Sequence, residues 1–272
     1  MKFALVGDLH YGPPYSGKKN GIQRKLVQQA LPLVQQFVKH INNLPDIDFV
    51  VELGDTIEDV NDEAIDIQYY KEIYSVLLEL RKPLHVLIGN HDQRTLSHDT
   101  LRKILGYDQL YYSFKLDGFK LIALHATMLG DHTKDIADIK AGIDEKQLIW
   151  LERELATQQP VIIFSHYSSA EMNLKDNFWF DNDPVNALLA NRKELRAIIE
   201  KNNNVIAFIN GHVHWNNITI HNKIPYITQQ SLVENFCNTD TPAATFSIVT
   251  VADGVFDMTM FGNDRTHVKF GY

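Results

Sequence analysis

Five short apolar runs, each closed at once by residues able to bind a metal, constrain this chain more than any other feature. Phe3–Val6 runs into Gly7-Asp8-Leu9-His10, Phe49–Leu53 into Gly54-Asp55, and Leu84–Ile88 into Gly89-Asn90-His91-Asp92. Val161–Phe164 leads to Ser165-His166, and Val205–Ile209 leads through Asn210 to Gly211-His212-Val213-His214. Runs of Val, Ile, Leu and Phe this short, without in-and-out alternation, predict strands buried on both faces. Between them, Gln23–Ile41, Glu63–Leu80, Asp144–Ala156 and Asn186–Lys201 repeat apolar residues at spacings of three and four, which predicts amphipathic helices. Asp144 with Gln147 has the form of an N-cap and its reciprocal partner. The β-α-β-α order predicts an α/β architecture.

The last part of the chain reads differently. Trp215–His221, Lys223–Gln229, Thr245–Ala252 and Val255–Phe261 predict successive strands, with turns at Asn222-Lys223 and Asp253-Gly254. Tyr111–Leu116 and Phe119–Leu124 predict a further hairpin across Asp117-Gly118. Mixed strands of this kind predict a second sheet packed on the first, with helices outside. No repeat, low-complexity segment or Pro/Gly linker divides the chain, so residues 1–272 are expected to form a single domain.

The carboxyl ends of strands in an α/β sheet line one edge, where ligands bind. Four of the five turns carry Gly before the first ligand-type residue, which leaves room for close approach of backbone to a bound group. In Asp8-Leu9-His10 and His212-Val213-His214 the polar residues are two apart, and an extended backbone would point both at one ion. Asp8, His10, Asp55, Asn90, His166, His212 and His214 are therefore the candidate ligands. Two carboxylates, one amide and four imidazoles suit Mn, Fe or Zn. Seven ligands exceed what one tetrahedral zinc accepts, and if one carboxylate bridges they serve two ions. With only two anionic ligands, two divalent ions leave a surplus of positive charge, which favours a phosphate anion as substrate.

Composition narrows the function classes. The net charge of −8 speaks against a nucleic-acid-binding surface, which must be basic. Cys237 is the single cysteine, which excludes an internal disulfide and a thiolate zinc cluster and is expected to be a small buried apolar residue. Phe3–Val6 is too short for a secretory apolar region, and no apolar stretch is long enough to span a bilayer. A cytoplasmic location without membrane association is expected.

The ordered set Asp-x-His, Gly-Asp, Gly-Asn-His-Asp, Ser-His and Gly-His-x-His resembles the calcineurin-like metallophosphoesterase superfamily over nearly the whole chain. The resemblance implies a four-layer α/β/β/α sandwich, two packed mixed β-sheets flanked by helices. It implies that Asp8, His10, Asp55 and His214 hold one metal, and that Asp55 bridges to a second held with Asn90, His166 and His212. It also implies that His91 is the acid–base histidine, with Asp92 orienting its ring. No motif position departs from the pattern. Gln147-Leu148-Ile149-Trp150-Leu151 and Asn191-Arg192-Lys193-Glu194-Leu195 are similar to segments of manganese-dependent ADP-ribose/CDP-alcohol diphosphatases. The chain also resembles the compact class that includes bacterial cyclic-nucleotide phosphodiesterases.

The expected chemistry is in-line hydrolysis of a phosphoester by a metal-activated hydroxide, with His91 as general acid. A phosphodiesterase or diphosphatase acting on a nucleotide-like small molecule leads. A phosphomonoesterase or protein phosphatase could use the same centre, and a non-catalytic metal-binding scaffold would be expected to lack a ligand. The substrate contacts and the oligomeric state are open. Specificity is assigned to the loops at 12–21, 131–142 and 168–183, the last with the cluster Phe178-Trp179-Phe180 as a loop anchor or as a pocket wall. Among the remaining residues, His125, His132 and Tyr11 are candidates to line the site. Asn191 is expected to cap a helix. His40, His85, His221 and His267 are expected in surface or packing roles, and Arg24 and Lys25 on a solvated helix face.

Overall fold

The computed structural model describes residues 1–129, 140–235 and 241–272. Two six-stranded sheets form its centre. In the first, the strands run in the order Thr266–Gly271, Val255–Phe261, Phe246–Ala252, Lys2–Val6, Phe49–Glu52, Leu84–Val86. Lys2–Val6, Phe49–Glu52 and Leu84–Val86 are parallel, and the strands from the C-terminal region continue the sheet antiparallel. The second sheet runs Asn217–His221, Ile224–Thr228, Val205–Asn210, Val161–Ser165, Phe119–Ala123, Tyr112–Leu116. Its four inner strands are parallel, with one antiparallel strand at each edge.

The apolar runs lack alternation because both of their faces are covered. Phe3, Leu5, Phe49 and Val51 point between the sheets, where they meet Leu121, Ile162, Phe164 and Ile209. Ala4, Val6 and Val50 point outward, against Val34, Phe37 and Val38 of the Ala30–Asn42 helix and Tyr70 and Ile73 of the Glu63–Leu77 helix. Ile122, Ile163 and Phe208 do the same on the other side, against Leu148 and Leu151 of the Glu145–Leu155 helix and Leu195 and Ile199 of the Arg192–Glu200 helix. Successive side chains of a strand leave opposite faces, so one strand serves two apolar layers. The result is the expected α/β/β/α sandwich. Asp144 caps its helix by accepting from the Gln147 N–H at 2.8 Å.

Two helices are shorter than their periodicity predicts, for a tertiary reason. The segment from Gln23 is not helical: a short 3-10 turn occupies Val27–Gln29 and the α-helix starts at Ala30. Ahead of them, the Leu26 N–H donates to the Val233 carbonyl (2.9 Å) and the Asn235 N–H to that of Arg24 (2.8 Å), which draws residues 24–26 out into a bridge beside Glu234. The helix predicted over Asn186–Lys201 is divided into Pro184–Ala187 and Arg192–Glu200. At the break, the Leu189 and Ala190 N–H groups donate to Ser168 and Ala141 instead of to their own helix. His98–Leu105 and Thr266–Gly271 add a helix and an edge strand that the periodicity did not predict. Among the described residues, no helix is long and apolar enough to cross a membrane.

Candidate metal centre

All five ligand-bearing turns leave the same edge of the two sheets. Their backbone is not extended as the two-residue spacings suggested. Asp8, His10, Asp55, His212 and His214 all have left-handed backbone, with φ between 46° and 70°. That conformation costs a non-glycine residue on the order of 1 kcal/mol and persists where its surroundings over-determine it. Here the Asp8 and His10 N–H groups donate to Gly54 and Asp55, Ser231 Oγ donates to the Asp8 carbonyl, and the His212 N–H donates to the Asp8 carboxylate at 3.1 Å. The turns thus lock one another across both sheets. Gly89 and Gly211 are required by space: a Cβ at either would collide with the carboxylate of Asp55 or of Asp8.

The structure brings the seven candidate residues together in two groups that share Asp55. Donor atoms of Asp8, His10, Asp55 and His214 lie within 4.8 Å of one another, as do those of Asp55, His166 and His212. Asn90 Oδ1 stands 3.3 Å from His166 Nε2, which is 3.4 Å from Asp55 Oδ2. His10 Nε2 and His214 Nε2 face each other at 3.0 Å.

What the other ring nitrogens do decides which atoms are left for a cation. His10 Nδ1 lies 3.0 Å from Glu58 and His214 Nδ1 lies 2.6 Å from Glu234. His166 Nδ1 donates to the Leu53 carbonyl at 2.9 Å, and His212 Nε2 to the Asn186 carbonyl at 3.0 Å. These contacts turn three Nε2 atoms and His212 Nδ1 inward, and His212 Nδ1 is buried with no hydrogen-bond partner among the described residues. Converging lone pairs beside the Asp8 and Asp55 carboxylates form a donor set that fits a pair of divalent cations. Burial works against a charged ring at His166 and His214. Asp55 nevertheless raises His166 to about 9, and hydrogen bonds to Asp8 and Glu234 raise His214 to about 9. Burial also opposes the charge of Asp55, but His166, His91 and His10 hold it well below the usual carboxylate range.

The partner of His91 is a correction. Asp92 does not touch the ring: its carboxylate accepts the N–H groups of Gly89, Asp55, Thr56 and Ile57 at 2.8–3.2 Å. Those four amides surround it, and it ties the Gly54-Asp55 turn to the Gly89-Asn90 turn. Burial and the nearby Asp55 charge push it up to about 7. The ring is held by Asp59, whose Oδ1 is 2.6 Å from His91 Nδ1 and which also pairs with Arg94 at 2.9 Å. His91 Nε2 stands 3.1 Å from Lys25 Nζ. Burial, then Lys25 and Arg94, hold the His91 ring below its ordinary range.

Lys25 is a second correction. It is 4% exposed, not on a solvated helix face, because residues 24–26 pair with the Glu234 segment. Its ammonium pairs with Glu58 at 2.6 Å and lies 5.0 Å from the Trp179 ring centroid.

Above the two groups opens a cavity of about 380 Å³, lined by Asp55, Asn90, His91, His212 and His214 together with Lys18, Lys19, Lys25, Arg94, Tyr167, Trp179 and Phe180. The loops at 12–21 and 168–183 therefore both reach it. The aromatic cluster is anchor and wall together: Phe180 and Tyr167 lie against His212, with centroids 4.8 and 4.0 Å away, while Phe178 receives the Arg24 guanidinium. A larger groove, about 990 Å³, lies at the opposite edge of the sheets, remote from both groups.

Other candidates fall elsewhere. His125 is buried against His98 (Nε2 to Nε2, 3.3 Å) and lowered to about 3 by burial, outside the cavity lining. Tyr11 donates to Glu72 at 3.0 Å, a packing contact. Asn191 makes no cap: its amide exchanges two hydrogen bonds with the Ile143 backbone. His132, Cys237 and most of the 131–142 loop lie outside the described residues. Glu58, Asp59, Arg94 and Glu234 were not foreseen. Glu58 and Asp59 follow Asp55 by three and four residues in one turn, a signal that was present, whereas nothing in the sequence around Glu234 marks it.

A sequence model described as calcineurin-like phosphoesterase matches residues 1–216. A probable glycerophosphodiester phosphodiesterase GpdQ of Arcobacter nitrofigilis is 27% identical over 203 residues, covering 71% of this chain and 67% of that protein. A manganese-dependent ADP-ribose/CDP-alcohol diphosphatase of Arabidopsis thaliana is 23% identical over 259 residues, covering 79% and 80%. Among solved structures, a dimetal phosphatase from Danio rerio superimposes with a TM-score of 0.78 at 19% identity, covering 100% of this chain and 98% of that one.

Proposed function

The chain belongs to the calcineurin-like phosphoesterase family, and from that premise we propose that it hydrolyses phosphodiester or diphosphate bonds of a nucleotide-like small molecule with two Mn, Fe or Zn ions. We take residues 1–272 as one domain, since strands from both ends of the chain share one sheet. The observation that carries the reading is the pair of buried donor groups meeting at Asp55 on the floor of the cavity. Asp8, His10, Asp55 and His214 would hold one ion, and Asp55, Asn90, His166 and His212 the other. Bound there, the ions would polarise the phosphoryl group and bring the pKa of a water near neutrality.

The remaining roles fall to the chain's own groups. Asp59 Oδ1 at 2.6 Å and Arg94 Nη1 at 3.0 Å both engage His91 Nδ1, which leaves Nε2 as the atom that gives or takes a proton at the leaving oxygen. Lys25, beside that nitrogen, is placed to hydrogen-bond a phosphoryl oxygen. Trp179, Phe180 and Tyr167 give the cavity an aromatic wall.

Lys25 and Arg94 stand closest to the donor groups and are paired with Glu58 and Asp59, so the ions themselves would carry most of the positive charge that meets the reacting phosphate. Lys18 and Lys19 also line the cavity and can meet the second phosphate of a diphosphate. The relatives named for glycerophosphodiester and ADP-ribose/CDP-alcohol hydrolysis support the same class.

Bis-p-nitrophenyl phosphate is expected to be hydrolysed faster than p-nitrophenyl phosphate, and a panel of glycerophosphodiesters, cyclic nucleotides, ADP-ribose and CDP-alcohols identifies the ester. Activity should vanish on chelation and return with Mn²⁺ or Fe²⁺. Full activity in metal-free protein would remove the two-metal reading, and preference for the monoester would remove the diester one.

A further inference from the structure

The two histidines of the Asp8 group are joined by a second path that runs over the cavity and avoids the donor atoms. His10 Nδ1 faces Glu58, and Glu58 pairs with Lys25. The Lys25 ammonium rests on the Trp179 ring. The Trp179 indole N–H donates to Glu234 Oε2 at 2.9 Å, and the same oxygen is 2.6 Å from His214 Nδ1. Glu234 is fully buried, and its Oε1 has no hydrogen-bond partner among the described residues. One carboxylate oxygen is therefore shared between a histidine of the donor group and a residue that lines the cavity. The backbone beside Glu234 is also what holds residues 24–26, and with them Lys25, in place.

We propose that Glu234 is a positioning residue that couples the metal centre to the aromatic wall of the cavity, so that Trp179 shifts when His214 takes up a cation. The inference rests on the reading of His214 as a metal ligand. The physics is competition for one acceptor. A cation that takes the place of the proton on His214 Nε2 changes the charge carried by the ring and with it the strength of Nδ1–H as a donor. Glu234 Oε2 is then shared differently between the imidazole and the indole. Because Lys25 lies on that indole and next to His91, the group that meets the phosphoryl oxygen is set by the same event. The wall and the centre thereby act as one unit, and metal-free protein holds a differently shaped cavity.

Zinc, which does not quench fluorescence as paramagnetic ions do, tests this directly. Metal-free protein is titrated with Zn²⁺ while tryptophan emission and bound zinc are both followed. The expected result is an emission change in the native protein that saturates with zinc and is absent in Trp179→Phe, which assigns it to that indole and not to Trp150 or Trp215. Glu234→Ala should lose most of the change, whereas Glu234→Gln, which keeps an acceptor oxygen there, should restore it. Glu234→Asp, too short to reach both donors, is expected to behave like the Ala variant and replaces it where that variant does not fold. Zinc bound with Trp179 emission unmoved, or a Glu234→Ala or Glu234→Asp variant responding like the native protein, overturns the coupling. Native protein that binds no zinc overturns the ligand reading, and the coupling with it.

Discussion

At the scale of single residues, every histidine around the centre turns one ring nitrogen to a neighbouring group of the fold and the other toward the centre. The anchoring groups differ: a backbone carbonyl for His166 and His212, a buried carboxylate for His10, His214 and His91. By holding the Nδ1 side of each ring, the carboxylates set which way Nε2 faces, which is how partners beyond the ligands orient a metal site. Asp59→Asn is therefore expected to lower kcat about 10- to 100-fold while bound metal, measured by elemental analysis, stays as in the native protein. A variant that loses metal instead would show that Asp59 acts on the ligands and not on His91. The candidate ligands were legible as a set, because five apolar runs in succession end in Asp, Asn or His, although any one such turn is common. Their partners were not. Asp92 adjoins His91 in the chain and was the natural choice, yet the amides of two neighbouring turns take all of its capacity.

At the scale of elements, the five strands end in turns that touch one another, and the contacts at Gly7, Gly54, Gly89 and Gly211 leave no room for a methyl group. Gly89 lies against the Asp55 carboxylate and backbone, and the turn it begins supplies Asn90 and His91. Gly89→Ala must displace Asp55 from a fully packed surrounding, which places it among substitutions costing about 3 kcal/mol or more. Chemical denaturation should register that loss, together with weaker metal binding. A variant of native stability would mean that the two turns separate freely. Strands were well located from the sequence because burial on both faces imposes an unbroken apolar run. Two helix limits were misplaced, since local periodicity continues through Arg24–Leu26 and Leu188–Asn191, while the backbone there is taken by Val233, Asn235, Ser168 and Ala141.

At the scale of the whole molecule, protons and cations compete for the centre. His166 and His214 are raised to about 9, above the ordinary histidine value of about 6.5. Raised values mean that, without metal, the charged rings stabilise the folded state fully below about pH 6.5 and cease to do so as pH rises through about 9. The metal-free protein should accordingly melt at a lower temperature at pH 9.5 than at pH 7. A cation must displace those protons, so its apparent affinity should rise between pH 7 and 9, by about tenfold per unit for each proton released. Calorimetric titration in buffers of different ionisation enthalpy measures that release directly. Affinity independent of pH across this range would show that neither ring loses a proton to the metal. With metal present at 100 times its dissociation constant, unfolding should become harder by about 2.7 kcal/mol, and chelation should reverse the gain.

The sequence by itself determined the layered α/β architecture, the edge at which the chemistry gathers, and the residue types that meet there. Each of these follows from local rules: burial sets the strands, glycine opens the turns, and Asp, Asn and His supply the donor atoms. Tertiary structure alone decided that Glu58, Asp59 and Glu234 stand behind the histidines, that Lys25 is buried among them, and that Trp179 joins the wall to the centre. Those contacts cross between sheets and loops up to about 200 positions apart, as in the Lys25–Glu234 bridge. No periodicity records such distances, because a side chain's partner is set by how the layers pack and not by its neighbours along the chain.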